Sequence, residues 1–147
     1  MTTEHITEHL QPGEHFAVIQ QAECLELLET ATVAQIAFVN HDGLQLIPLN
    51  FAVIDGHIFF RTSPDSILND LAAGNDHVAF GVDYHAPLYR DGWNVTVKGS
   101  TSRVTDPAVH DQVMSWSRLH PWAPGERDVV VRLVPHSMEG RRVAIHR

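Results

Sequence analysis

The sequence predicts a single, mainly β domain: an antiparallel β-barrel with short helices. Runs of β-branched and aromatic residues, about six in number, are separated by turns rich in Gly, Asn, Asp and Pro. No long helix alternates with these runs, and the glycine fingerprint of a doubly wound nucleotide-binding fold is missing. A closed or partly closed barrel is therefore favoured, because closure removes exposed sheet edges.

The first elements along the chain are a polar arm and an amphipathic helix. Residues 1–14 are polar, which predicts a flexible N-terminal arm before a single domain over residues 15–147. Over residues 21–29, apolar residues recur at helical spacing with glutamates between them. The only cysteine, Cys24, lies among leucines in this helix, so we expect a buried thiol that acts as a small hydrophobic group.

Strands in meander order follow the helix. The expected strands are residues 32–39, 44–54 and 57–61, joined by tight turns. Such consecutive strands are antiparallel. Because Pro48 cannot donate a hydrogen bond to a neighbouring strand, we expect the second strand at a sheet edge, at a bulge or against a ligand.

The second half of the chain mixes short helices with the remaining strands. Helices are expected over residues 63–73 and 106–119, since each begins with a capping residue followed by proline. A loop is expected over residues 84–91, and Gly99 predicts a bulge or bend in the strand that contains it. The strands expected in this half are residues 76–83, 92–105 and 128–134.

Composition and charge limit the classes of function. The chain has 147 residues, of which 44% are hydrophobic, enough for one domain with its own core. The net charge of −8 argues against a phosphate backbone as partner, so neither DNA nor RNA is expected. No apolar run is long enough to span a membrane, and the first residues lack the pattern of a signal peptide, so we expect a cytoplasmic protein without a membrane partner.

No catalytic or metal-binding constellation can be recognised from spacing alone. The 11 histidines are scattered, and no His pair with a carboxylate lies on a predicted internal element, so no metal is expected. No Ser-His-Asp or Cys-His arrangement can be argued either. Catalytic residues therefore stay unknown at this point.

Five short segments stand out by their order and spacing along the chain. They are Glu23-Cys24-Leu25-Glu26-Leu27-Leu28, Pro48-Leu49-Asn50-Phe51, Phe60-Arg61-Thr62, Gly92-Trp93-Asn94-Val95 and Gly140-Arg141-Arg142. Together they resemble the pyridoxamine 5′-phosphate oxidase-like family of actinobacteria over most of residues 16–143. The resemblance implies a six-stranded antiparallel split barrel, a homodimer, and flavin mononucleotide (FMN) in a groove at the dimer interface. It also implies an FMN-dependent oxidoreductase that acts on a small-molecule substrate.

The same resemblance assigns cofactor-binding residues. One guanidinium and two hydroxyls form a reasonable anion pocket on physical grounds. Arg61 would otherwise be a surface residue that pairs with a carboxylate, and Trp93 would be core or interface packing. The expected residues are Ile47, Pro48, Leu49 and Asn50 for the flavin ring, Arg61, Thr62, Ser66 and Ile67 for the phosphate, Trp93 of the partner subunit for one ring face, and Trp122 for the substrate side.

One departure from the family pattern leaves the cofactor open. Relatives usually carry Gly-Ser-Lys-Leu after the third strand, where this chain has Asp65, Ser66, Ile67 and Leu68. One cation is lost and one anion gained near the expected phosphate position, and the added charge would repel a phosphate. The alternative is a split-barrel binding protein without FMN, which holds another ligand, such as haem or a deazaflavin, or none.

Overall fold

The computed structural model describes residues 14–86, 88, 91–116 and 127–145. Strands dominate these residues, and each helix is short. The elements in chain order are β1 (Glu14–Ile19), α1 (Gln21–Thr30), β2 (Val33–Asn40), β3 (Gly43–Asn50), β4 (Ala52–Ile54), β5 (His57–Thr62), a 3-10 helix (Ile67–Leu71), β6 (Asn75–Ala86), β7 (Asp91–Arg103), α2 (Pro107–Met114) and β8 (Val129–Ile145).

The strands form one antiparallel sheet that curls into a barrel. Its order is β3-β2-β6-β7-β8-β5-β4, and β1 pairs with the C-terminal part of β8. The two ends of this order, β3 and β4, are successive in the chain and are separated only by Phe51. The two ends of the sheet therefore come together, and β3 also contacts β5. The predicted antiparallel split barrel is confirmed, with eight strands in the described residues instead of six.

Phe51 explains why the predicted strand over residues 44–54 is two strands. Its N–H donates to the carbonyl oxygen of Thr32 at 3.0 Å, and its ring packs edge-on against Phe80 with centroids 5.0 Å apart. The residue is buried and holds the bend between β3 and β4. Each half then finds its own neighbour, because β3 pairs with β2 and β4 pairs with β5.

Other predicted boundaries are wrong. The loop expected over residues 84–91 is shorter, because β6 runs on to Ala86, where Tyr84 pairs and stacks with Trp93. The helix expected over residues 63–73 is only the 3-10 helix, which is capped by Ser66. The last strand extends to Ile145 instead of residue 134, because β7 and β1 pair with its C-terminal part.

Two positional predictions are confirmed. Among the described strands, Pro48 lies on the end strand β3, which is hydrogen-bonded only to β2. The register between β7 and β8 shifts between Lys98 and Gly99, so the irregularity lies at Gly99 as expected, although the extra residue is His136 on the partner strand β8. The start of α2 is also as expected, since the Asp106 carboxylate accepts the N–H of Ala108.

Alternating side chains of the sheet build two hydrophobic cores. Phe60 belongs to the inner core, which fills the barrel, whereas its neighbour Phe59 belongs to the outer core under α2. The inner core includes Phe38, Ile36, Phe80, Val97 and Leu133, and the outer core includes Ala52, Ile54, Val113 and Val130.

Helix α1 packs on β8 through a close approach of the backbone. Cys24 and Leu28 are buried beneath it, and a Cβ at Gly140 would lie 2.6 Å from the Cys24 sulfur. Arg142 forms an ion pair with Glu23 at 3.0 Å. Burial raises the pKa of the Cys24 thiol, so it is a packing group as predicted.

Within the described part of the chain, no helix is long and apolar enough to cross a membrane. The same residues contain no cluster of His, Cys, Asp or Glu that could hold a metal ion.

Candidate ligand-binding site

Several of the predicted ligand residues lie together where β3 bends into β4, beside the end of β5. We name this place the seam. The β4–β5 register runs from Ala52 opposite Phe59 to Ile54 opposite His57. Because β3 also contacts β5, we place Leu49 and Asn50, at the end of β3, near Arg61 and Thr62, at the end of β5. The seam consists of these last four residues. Side chains that are distant in sequence thus come together where the sheet closes.

Strand alternation divides these residues between the two faces of the sheet. Asn50 and Arg61 share the outer face with the exposed Pro48 and are themselves half-buried. Leu49 and Thr62 point toward the inner core and are buried. Ile47 also packs against the inner core. The structure therefore gathers the predicted residues at one place but presents them on opposite faces.

Arg61 connects the end of β5 to the start of β8. Its Nε donates to the carbonyl oxygen of Arg127 at 2.8 Å, so the half-buried guanidinium is fixed in direction. It lies on the same face as Phe59, next to the outer core. A guanidinium is planar and carries its N–H donors in a fixed fork, which matches the oxygens of a carboxylate or a phosphate.

Thr62 carries a buried hydroxyl that has no partner. The residue is 0% exposed, and within the described residues its Oγ1 makes no hydrogen bond. Buried side-chain polar atoms nearly always have a hydrogen-bond partner, because an unpaired one costs about 1–3 kcal/mol. An unpaired hydroxyl at the seam is therefore the strongest sign that a ligand completes this region.

Ser66 and Ile67 lie at the start of the 3-10 helix. Ser66 Oγ accepts the N–H of Leu68 at 3.2 Å, which leaves the hydroxyl proton available to an acceptor. Ile67 packs against the inner core, and so the position where relatives carry lysine is used here for packing. The helix has 5 residues, too few to present the row of N–H groups that the predicted longer helix would have offered.

Trp93, which was expected to reach the site from the partner subunit, does not lie at the seam of its own chain. Trp93 packs against the inner core and stacks with Tyr84, with ring centroids 6.1 Å apart. Its register partner on β8 is Arg142, at the other end of that strand from Val129, the partner of Thr62. Trp93 is therefore remote from the seam of its own chain. Trp122 lies outside the described residues.

An apolar surface covers the outer side of the sheet next to the seam. Val39, Leu44 and Leu46 are 63%, 78% and 63% exposed, and we name these three residues the outer apolar face. Two cavities of about 360 and 380 Å³ lie against it, and both are floored by Ala37 and Ala79. Leu44, Leu46 and Pro48 alternate on β3, so the face continues to the seam.

Sequence reasoning missed two arginines on and before β8. The Nε atoms of Arg127 and Arg132 are buried and, within the described residues, have no hydrogen-bond partner. The guanidinium of Arg132 lies over the ring of Phe59, 5.3 Å from its centroid. In the sequence they only flank the strand-forming residues 128–131, which gives no sign of a site.

Proteins of known sequence or structure are similar to this chain over nearly its full length. The uncharacterized protein Rv0080 of Mycobacterium tuberculosis is 28% identical over 138 residues, which are 90% of this chain and 89% of the relative. The structure of the FAD binding protein from Mycobacterium smegmatis is 27% identical with a TM-score of 0.71, and the match covers 88% of this chain and 99% of that one.

A protein from Corynebacterium glutamicum, proposed to be a pyridoxamine 5′-phosphate oxidase, has a TM-score of 0.75 at 22% identity, over 94% of this chain and 99% of its own. This likeness supports the fold. The sequence profile of the family described as pyridoxamine 5′-phosphate oxidase matches residues 20–142, which include every element from α1 to most of β8. The chain belongs to the pyridoxamine 5′-phosphate oxidase family and has its split-barrel fold.

Proposed function

We propose that the protein binds FMN non-covalently at the seam, in a groove completed by a second copy of the chain, and that it acts as an oxidoreductase on a small-molecule substrate. The buried hydroxyl of Thr62, which has no hydrogen-bond partner within the described residues, carries the proposal. A flavin as ligand class is supported by the M. smegmatis relative, which is described as FAD-binding.

The side chains at and near the seam are of the chemical types that bind the phosphate and the ring of FMN. Thr62 and Ser66 would donate hydroxyl hydrogen bonds to a phosphate, while Arg61, on the opposite face of the sheet, would hold the backbone at Arg127 and add positive charge nearby. Pro48 and Asn50, on the outer face of β3, would run along the ring, where the Asn50 amide can both donate and accept. The bound flavin would supply the hydride or electron chemistry, and the protein would supply binding, orientation and exclusion of water.

The second copy is proposed to cover the outer apolar face. Two of its three residues lie on β3, on the same side as Pro48. A second copy bound there would form one wall of the groove at the seam. Burying three large apolar side chains contributes about 1.5–3 kcal/mol each before the cost of association. This placement agrees with a site that takes Trp93 from the partner subunit, since the chain's own Trp93 is remote.

The flavin proposal is tested by the spectrum and stoichiometry of the purified protein. We expect flavin absorbance bands, or their appearance after FMN is added and excess removed, at about one FMN per chain. Titration of the cofactor-free protein followed by flavin fluorescence gives the affinity. A colourless dimer that leaves the fluorescence of FMN and FAD unchanged would overturn the proposal.

A second candidate is a binding protein of the same fold that holds haem or a deazaflavin. Two residues favour this candidate. Ile67 packs against the inner core and carries no charge, and the exposed Asp65 carries a carboxylate that would repel a phosphate. Titration with haem and with a deazaflavin under the same conditions separates the two candidates. Binding of either in preference to FMN would favour the second.

Thr62→Val should stabilise the free protein and weaken FMN binding. Valine has nearly the shape of threonine, so the change removes the unpaired hydroxyl and leaves the packing intact. We expect the free energy of unfolding to rise by about 1 kcal/mol and the FMN affinity to fall about tenfold. Urea unfolding and fluorescence titration measure the two effects.

Thr101→Val is the matched control for that change. Thr101 is also buried, at 4% exposure, but its hydroxyl donates to the carbonyl oxygen of Leu71 at 2.9 Å. Its removal takes one of two hydrogen bonds from that carbonyl, which keeps the N–H of Gly74 at 3.2 Å, and should lower the free energy of unfolding by about 0.5–1.5 kcal/mol. An equal destabilisation by Thr62→Val would show that the Thr62 hydroxyl has a partner in solution and that the ligand argument fails.

A further inference from the structure

Arg127 is a half-buried cation whose side chain has no evident task in the free protein. Its backbone carbonyl accepts the Nε of Arg61, but its own Nε is buried and unpaired within the described residues. Burying an N–H of a charged group without an acceptor is costly, because that N–H loses its hydrogen bond to water. The arrangement is explained if an acceptor from outside the chain belongs beside it.

Arg127 lies next to the other unpaired buried donor. Thr62 is the register partner of Val129, and Arg127 precedes Val129 by two residues. Arg127 lies just before β8 begins, and its carbonyl accepts from Arg61, the residue next to Thr62 in sequence. Both unpaired donors, Thr62 Oγ1 and Arg127 Nε, thus belong to the same end of the β5–β8 pair. One acceptor with several oxygens can satisfy both, and a negative charge on it would balance the guanidinium.

The third unpaired atom, Nε of Arg132, has a different explanation. Its guanidinium lies 5.3 Å from the ring centroid of Phe59, its register partner on β5. The face of an aromatic ring attracts a cation and partly replaces its water. Arg132 therefore has its partner within the chain, on the outer core side, and serves as a natural comparison for Arg127.

We propose that Arg127 binds a phosphate monoester together with Thr62 and supplies the positive charge that Ile67 does not. The inference rests on the proposed function for the identity of the ligand, since FMN carries such a group. Inorganic phosphate tests the same site without the flavin. Arg61, which holds the Arg127 carbonyl, fixes the backbone of the site from the other face.

The first test compares FMN with riboflavin, which lacks the phosphate. Arg127→Gln should weaken FMN binding about 10- to 100-fold and leave riboflavin binding unchanged, so the ratio of the two affinities falls by that factor. Arg127→Lys keeps the charge without the planar fork and should recover part of the loss. Arg132→Gln should leave the ratio unchanged. An unchanged ratio in Arg127→Gln would overturn the inference and leave the flavin proposal standing.

The second test uses inorganic phosphate on the cofactor-free protein. Phosphate should raise the Tm of the wild type above that in chloride of equal ionic strength, and Arg127→Gln should lose this rise. If FMN fails to bind but phosphate protection depends on Arg127, the flavin proposal fails and the phosphate site stands. If phosphate protects neither protein, or protects both equally, the Arg127 site is refuted.

Discussion

Gly99→Ala should lower the free energy of unfolding by about 3 kcal/mol or more. A Cβ at this position would overlap the carbonyl oxygen of Val134 and would also lie 3.1 Å from the Pro135 Cα. Both are backbone atoms in the middle of β8, so they can move only if the sheet moves. Because the bulge at Lys98 and Gly99 sets the register of β7 against β8, we expect the whole barrel to lose stability.

Urea unfolding followed by tryptophan fluorescence measures this effect. Ser102→Ala is the control on the same strand, because Ser102 is exposed and the change adds no atom there. It should alter the free energy of unfolding by no more than about 0.5 kcal/mol. If the free energy of unfolding of Gly99→Ala were within about 1 kcal/mol of the wild-type value, the close approach of the two strands would be contradicted.

Gly99 also illustrates what sequence patterns can predict. A glycine that interrupts an alternating strand predicts a bulge, and a proline in a strand predicts an edge, because both follow from local backbone chemistry. The structure confirms the edge position of Pro48 and places the register shift at Gly99, although the extra residue lies opposite it on β8. The division of the strand over residues 44–54 was not predictable in this way, since the bend depends on the contacts of Phe51 with Thr32 and Phe80.

The candidate site shows the same limit more strongly. Arg61 and Thr62 are adjacent in sequence and were predicted to act on one phosphate, but strand alternation turns them to opposite faces. Arg127 is separated from Arg61 by 66 positions and becomes its neighbour only through the pairing of β5 with β8. Local pattern carries no information on that pairing, and so the unpaired donors became visible only in the fold.

Leu46→Glu should convert the proposed dimer into a monomer and abolish FMN binding at the same time. The side chain is 63% exposed in the single chain, so a glutamate there is compatible with folding. In the dimer it would be buried against apolar side chains without a partner, which costs several kcal/mol. The dimer dissociation constant should rise more than about 100-fold, as for a central interface residue.

Analytical ultracentrifugation across a range of concentrations, together with an FMN titration of each species, measures both effects. Val18→Glu is the control, since Val18 is 58% exposed but lies on β1, which β8, β7 and β6 separate from the outer apolar face. It should remain dimeric and bind FMN normally. A dimeric Leu46→Glu would place the interface elsewhere. A monomeric variant that still binds one FMN per chain would show that the seam suffices alone, and the groove would then belong to one subunit.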